Sequence, residues 1–400
     1  MNKHFTNFSF HMQTDIRFGA GVEESVGEMI RLYGGHRVLL VYGGGSVQRT
    51  GLYDRVYAAL QRASLTIIPF GGAKANPVRS HAQDGIALAR HGHVDFVFAV
   101  GGGSVIDTAK AIAAGVVNGG DFWCFCTGEK QAQAALPIGV VHTIAAAGSE
   151  TSADCVIVDD IDTDYKCYFD SPTIRPTFAL MNPALTYTVP PLQKAAGAAD
   201  VLAHTFDRYF TDADSFLGDQ YAEGTMRTVI KYGPIAVHHP NDYESHAELM
   251  LAGSFSHNDV TGIGRNGLRG NTHALEERAL SGLYDTPHGA GLALIMPSYL
   301  QYLAESGNDL QSGRAAQFAV NVMGIPNDFK DVRATASLGA QQLRAWTLAL
   351  GLPQTLRALG IPASDLDRLV SYVPFESDGT QHRFAQLNRS DVRTIFTRIF

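Results

Sequence analysis

Asp200, His204, His273 and His288 are four residues of metal-ligand type in the half of the chain that reads helical. Asp200 and His204 stand four positions apart in Asp200-Val-Leu-Ala-His204, inside a stretch of helical periodicity. That spacing puts both side chains on one helix face, one turn apart. A carboxylate with imidazoles suits Fe²⁺, Zn²⁺ or Mn²⁺. His288 follows Asp285-Thr-Pro287 and precedes Gly289-Ala-Gly291. The proline fixes the direction of the chain there, and the small residues permit close approach. A divalent cation polarises a carbonyl as a Lewis acid, so beside a hydride carrier such a site would reduce aldehydes or oxidise alcohols. The pairs His91-Gly-His93 and His238-His239 have no partner at a useful spacing and read as surface groups.

Two glycine-rich turns are the complement to that site. Gly101-Gly-Gly-Ser104 stands where an apolar strand ends and an alanine-rich helix begins, with Asp107 one turn on. Glycines let the backbone approach a phosphate, and the helix N-terminus offers unpaired N–H groups and a positive dipole end. Ser104 can cap that helix and also donate its hydroxyl. The pattern is not the strict G-x-G-x-x-G of the standard dinucleotide fingerprint. The earlier turn, Gly43-Gly-Gly-Ser46, ends the first predicted strand and is followed by Val47, Gln48 and Arg49. No carboxylate follows it to bind a ribose 2′-hydroxyl, which favours NADP(H) over NAD(H).

The elements that must position these groups divide the chain in two. Arg37–Tyr42, Leu65–Phe70 and Asp95–Val100 read as apolar strands alternating with helices over Leu52–Ala63, Val78–His91 and Ser104–Gly115. Repeated strand–turn–helix order predicts a parallel α/β sheet, and nearly all-apolar strands predict that both its faces are covered. After Thr188-Val-Pro-Pro191 the texture turns helical: Leu192–Phe210, Gly218–Tyr232, Tyr243–Asn258, Leu292–Ala304 and Val332–Leu350, with a glycine-rich loop at Gly262–Gly270. The expected organisation is an α/β dinucleotide-binding domain over residues 1–190 and an all-α metal-binding domain over 191–400, with the site in the cleft between them.

Composition fits a globular enzyme. Of 400 residues, 45 % are apolar and 18 % charged, and 31 basic against 39 acidic side chains leave a net charge of −8. Mild acidity without a basic run argues against nucleic-acid binding. No segment has the roughly 18 apolar residues needed to span a bilayer, and Met1–Met12 does not read as a secretory signal. Cys124, Cys126, Cys155 and Cys167 make no disulfide framework, so the expected compartment is a reducing cytoplasm.

Taken in order, these pieces resemble the iron-dependent (group III) alcohol dehydrogenases, most of all their branch of butanol dehydrogenases and NADPH-dependent aldehyde reductases. The matching stretches are Phe18-Gly-Ala-Gly21, Val41–Ser46, Asn76-Pro77, Gly101–Lys110, Ala146–Glu150, Ala196–His204 and Tyr284–Gly289. The resemblance implies metal ligands at Asp200, His204, His273 and His288, with Fe²⁺ or Zn²⁺ bound, and catalysis centred on Asp200, His204 and His288. It implies pyrophosphate contacts from Gly102, Gly103 and Ser104, and nicotinamide contact from Asp107. Further cofactor contacts would come from Thr143 and Lys166, with Gly44, Gly45 and Ser46 at the adenosine ribose. A homodimer, with the N-terminal strand reaching the neighbouring subunit, is also implied.

The chain departs from that pattern around His273. The family's Trp before the third-ligand His is absent, and Glu277 stands where a second His follows it by four positions. The usual proton-donor candidate is thereby missing, leaving a water on the metal or a cofactor ribose hydroxyl. The step from His273 to His288 is one residue longer than usual. One extra residue turns an α-helix by about 100°, unless a π-bulge absorbs it. Either His273 reaches the metal through such a bulge, which is the expectation adopted, or Glu276 or Glu277 replaces it. Two other readings stand beside the oxidoreductase. One is an enzyme of the same superfamily acting on an anionic substrate, such as a phosphate-substrate dehydrogenase or a dehydroquinate-synthase-like lyase, for which Arg265, Arg269 and Arg278 are the available cations. The other is a nucleotide-binding relative without a metal.

Overall fold

The computed structural model describes residues 6–163, 166–265, 267 and 270–400. His11–Val189 form one compact unit; Pro190–Phe400 form a second, which takes in residues 6–10.

In the first unit the strands are β1 (Asp15–Phe18), β2 (Arg37–Gly43), β3 (Thr66–Ala73), β4 (Phe96–Gly101), β5 (Ile138–His142) and β8 (Phe178–Met181). They form one all-parallel sheet in the order β1-β8-β5-β4-β2-β3. Every residue of β4, β5 and β8 is buried, as in a sheet covered on both faces. The helices between strands include α1 (Val26–Leu32), α2 (Leu52–Arg62), α3 (Arg79–His91) and α4 (Gly103–Val117). An antiparallel hairpin of β6 (Asp154–Val158) and β7 (Lys166–Asp170) stands apart from the main sheet. From β2 the chain goes to β3 on one side and then returns to β4 on the other. The strand order therefore reverses between β2 and β4, the place where open parallel sheets bind ligands, at the carboxyl ends of the strands.

The second unit carries α5 (Pro191–Tyr209), α6 (Phe216–His238), α7 (Tyr243–His257), α8 (Thr272–Glu276), α9 (His288–Ser306), α10 (Asp309–Asn321), α11 (Val332–Ala349), α12 (Leu366–Tyr372) and α13 (Arg389–Thr397). A small hairpin of β9 (Thr380–His382) and β10 (Gln386–Asn388) interrupts the helices, where helices alone were expected. Pro190 and Pro191 stand at the N-cap and first position of α5, where a missing N–H costs nothing. From Lys194 to Tyr209 every residue of α5 is buried. Its small residues let α9 approach closely: a Cβ on Gly289 would lie 1.9 Å from the Ala196 carbonyl oxygen. Among the described residues no helix is long and apolar enough to cross a membrane.

Candidate metal centre and nucleotide-binding turns

Asp200 and His204 project from adjacent turns of α5, as the spacing requires. His273 is on α8 and His288 opens α9. One ligand atom from each of the four lies within 4.8 Å of the others. His204 Nε2 and His288 Nε2 are 3.6 and 3.7 Å from Asp200 Oδ1. Ligands of a tetrahedral site with bonds of about 2.1 Å are about 3.4 Å apart, so the spacing fits a first-row divalent ion. The buried Asp200 Oδ1 and His273 Nε2 have no hydrogen-bond partner among the described residues. Burying an acceptor or imidazole nitrogen unsatisfied is costly, and a cation shared by both removes that cost. Burial, together with the neighbouring His257 and His273, pushes the His204 imidazole well below its usual pKa. A neutral ring offers its lone pair, as a metal ligand must.

Between His273 and His288 the backbone makes a π-helical turn over Glu277–Ser281. Such a turn holds one more residue than an α-helical one, the form of bulge expected for this segment. Glu277 is exposed, while Glu276 is buried and accepts a hydrogen bond from His288 Nδ1. Neither glutamate takes the place of His273 in the cluster. The ring of His257, the last residue of α7, stacks on His204 with centroids 4.3 Å apart. Nothing in the local spacing of His257 marked it, because the contact is between helices distant in sequence. Asp207 was also missed: it accepts from His273 Nδ1 at 2.8 Å. It lies on the same face of α5 as Asp200 and His204, so D-x₃-H-x₂-D was a readable signal.

In the first unit most of the expected cofactor residues fall at or just after the ends of neighbouring strands. Gly44 and Gly45 follow β2, and Ser46 opens a one-turn helix. Gly102 and Gly103 follow β4, and Thr143 follows β5, its N–H donating to Gly101 O at 3.1 Å. Gly45 has φ of 119°, a conformation glycine adopts without strain. A Cβ on Gly44 would meet nothing within 4 Å, and one on Gly103 only Ser149 at 3.9 Å, so the backbone is open for close approach. Ser104 is not the N-cap of α4. Gly102 is, and the Ser104 hydroxyl donates to Ala75 O. The β3–α3 connection therefore takes the hydroxyl that a cap would have used. Asp107 Oδ1 accepts from Ser149 Oγ at 2.6 Å and its Oδ2 from Val156 N–H at 3.2 Å. Lys166 begins β7, in the separate hairpin.

Of the three arginines offered for an anionic substrate, Arg265 is fully buried and ion-paired with Asp219. Arg278 is exposed on the π-helical turn. Arg269 lies outside the described residues.

A parallel nucleotide-binding sheet followed by a helical unit that gathers one carboxylate and three imidazoles is the build of a metal-dependent dehydrogenase. Residues 13–183 match the iron-containing alcohol dehydrogenase family, and 194–400 match the C-terminal part of the Fe-containing alcohol dehydrogenase family. The NADH-dependent butanol dehydrogenase A of Clostridium acetobutylicum is 35% identical over 395 residues, covering 98% of this chain and 100% of the relative. The NADPH-dependent aldehyde reductase YqhD of Escherichia coli is 34% identical over 368 residues, covering 91% of this chain and 92% of its own. The crystal structure of NADH-dependent butanol dehydrogenase A from Thermotoga maritima superposes with a TM-score of 0.92 at 33% identity, over 100% of both chains. The chain belongs to the iron-containing alcohol dehydrogenase family.

Proposed function

We propose that this protein is a metal- and NADP(H)-dependent oxidoreductase interconverting primary alcohols and aldehydes. The observation that carries the reading is the convergence of Asp200, His204, His273 and His288 in a chain of this family. These four would hold Fe²⁺ or Zn²⁺, which accept the same donors. When bound, the cation supplies Lewis-acid polarisation of a carbonyl and the nicotinamide supplies the hydride. The chain's own task is placement. Backbone N–H groups of Gly102, Gly103 and Ser104, at the N-terminus of the fifteen-residue α4, meet the pyrophosphate. Asp107, fixed by Ser149 and Val156, would contact the nicotinamide, with Thr143 and Lys166 as further contacts. Gly44, Gly45 and Ser46 receive the adenosine ribose.

Relatives divide between the two nucleotides by name, one NADH-dependent and another NADPH-dependent. The preference is therefore read from the turn after β2. No carboxylate follows that turn, and the exposed Arg49 guanidinium leans over Gly45, 3.2 Å from where a Cβ would stand. A cation without a competing carboxylate favours the 2′-phosphate. The same reading includes a homodimer in a reducing cytoplasm; no disulfide joins the four cysteines.

The test is metal analysis with kinetics on butanal. Expected are near-stoichiometric metal, activity raised by Fe²⁺ or Zn²⁺, and a higher kcat/KM with NADPH than with NADH. Less than about a tenth of an equivalent of metal, with no gain on adding either ion, would overturn the oxidoreductase reading. A higher kcat/KM with NADH would overturn the cofactor preference alone, and a one-chain mass by light scattering the dimer.

A further inference from the structure

The three imidazoles of the cluster are not held alike. His273 Nδ1 is 2.8 Å from Asp207 Oδ2, and the same oxygen accepts the His273 backbone N–H at 3.0 Å. The other oxygen of Asp207 accepts from Thr272 N–H at 3.3 Å. His288 Nδ1 donates to Glu276 Oε2, which also accepts from Ser281 Oγ at 3.0 Å. Both carboxylates are fully buried. His204 has no such anchor: its Nδ1 is buried without a partner among the described residues, and the ring is stacked on His257.

We propose that Asp207 and Glu276 are positioning residues that fix the tautomer and aim of His273 and His288. A carboxylate on Nδ1 requires the proton there, and that leaves Nε2 as the lone-pair nitrogen. On His288 that Nε2 is the atom nearest Asp200. On His273 it is the buried nitrogen with no partner among the described residues. A carboxylate behind an imidazole also raises its basicity toward a cation. The fold makes room for the second anchor. A Cβ on Gly291 would lie 2.4 Å from Glu276 Oε1 and 2.8 Å from its Cγ, so glycine at 291 admits the glutamate. Ser281, the last residue of the π-helical turn, holds the other oxygen. The turn that absorbs the extra residue therefore also supplies the hydroxyl that steadies the anchor.

The inference rests on the reading that the four residues hold a metal, and the experiment separates the two. Co²⁺ affinity is measured against a chromophoric chelator, and the visible ligand-field spectrum is recorded, for the unmodified chain and for Glu276→Ala, Glu276→Gln, Asp207→Ala and His204→Ala. Far-UV circular dichroism and metal-free unfolding temperature are followed in parallel. Glu276→Ala should weaken Co²⁺ binding roughly 10- to 100-fold and alter the spectrum. Glu276→Gln, which keeps an acceptor oxygen on Nδ1, should recover part of the affinity, and Asp207→Ala should weaken binding comparably to Glu276→Ala. A merely structural role would lower the metal-free unfolding temperature and leave affinity and spectrum of the folded variant unchanged. If Glu276→Ala and Asp207→Ala bind within about twofold of the unmodified chain while His204→Ala fails to bind, the inference falls alone. If the unmodified chain binds no Co²⁺, the metal reading falls and the inference with it.

Discussion

Deleting Arg278 should leave the metal site intact, although the deletion lies on the segment that joins two of its four candidate ligands. His288 stands fifteen residues after His273. In a regular α-helix each residue adds about 100° of rotation and 1.5 Å of rise. At a Cα radius of 2.3 Å that rotation alone displaces the chain by about 3.5 Å, against a tolerance of about 0.2 Å in a metal–ligand bond. The segment meets this constraint by closing one turn with i→i+5 bonds over Glu277–Ser281, which places one more residue in the turn. Arg278 is exposed on that turn, so its removal lets the turn close as ordinary α-helix with His273 and His288 where they were. Expected are Co²⁺ affinity within about threefold of the unmodified chain and an unfolding temperature equal or higher. The complementary variant inserts one alanine after Arg278. No second π-turn is available to absorb it, so affinity should drop more than about a hundredfold, beyond the loss of an outer hydrogen-bond partner. A folded deletion variant that loses more than tenfold in affinity would refute the register argument. So would an insertion variant that keeps its metal, since the segment would then be compliant.

Two further outcomes follow from the packing around the site. Gly289→Ala would press a Cβ to 1.9 Å from Ala196 O and 2.7 Å from Ala196 C, both backbone atoms. With no side-chain end to yield, α5 and α9 must separate, at a cost of about 1–3 kcal/mol or more; an unchanged urea midpoint would contradict this. Burial, with Lys194 nearby, pushes the His246 imidazole from its ordinary 6.5 down to about 4. The unfolded chain then takes up this proton first, so the stability from the neutral ring is present above pH 6.5 and is lost as the pH falls toward 4. His246→Gln should flatten the decline in urea midpoint across that window, and parallel curves for the two proteins would exclude the assignment.

What could be read from the sequence was whatever a few consecutive residues determine. β2 and β4 were legible because each is an apolar run ended by glycines. The short β1, β5 and β8 were not, because Asp15-Ile-Arg-Phe18 and Ile138-Gly-Val-Val-His142 acquire their meaning only from the strands beside them. The N-cap reading of Ser104 failed for the same reason: the Ala75 carbonyl that takes its hydroxyl lies 29 residues away. Asp200 and His204 were legible because four residues of helix fix their relative direction. Counting from His273 to His288 fixed how much rotation had to be removed, but left open whether a bulge or a glutamate would meet the demand. The backbone decides it through tertiary chemistry. Glu276 is engaged by His288 and Ser281 and sits against Gly291, so an exchange of Glu276 into the cluster would give up both of these hydrogen bonds. A hydrogen bond to a charged group contributes about 1.5–3 kcal/mol. One π-turn lets His273 join the cluster and leaves Glu276 to its histidine, so the same bend serves both.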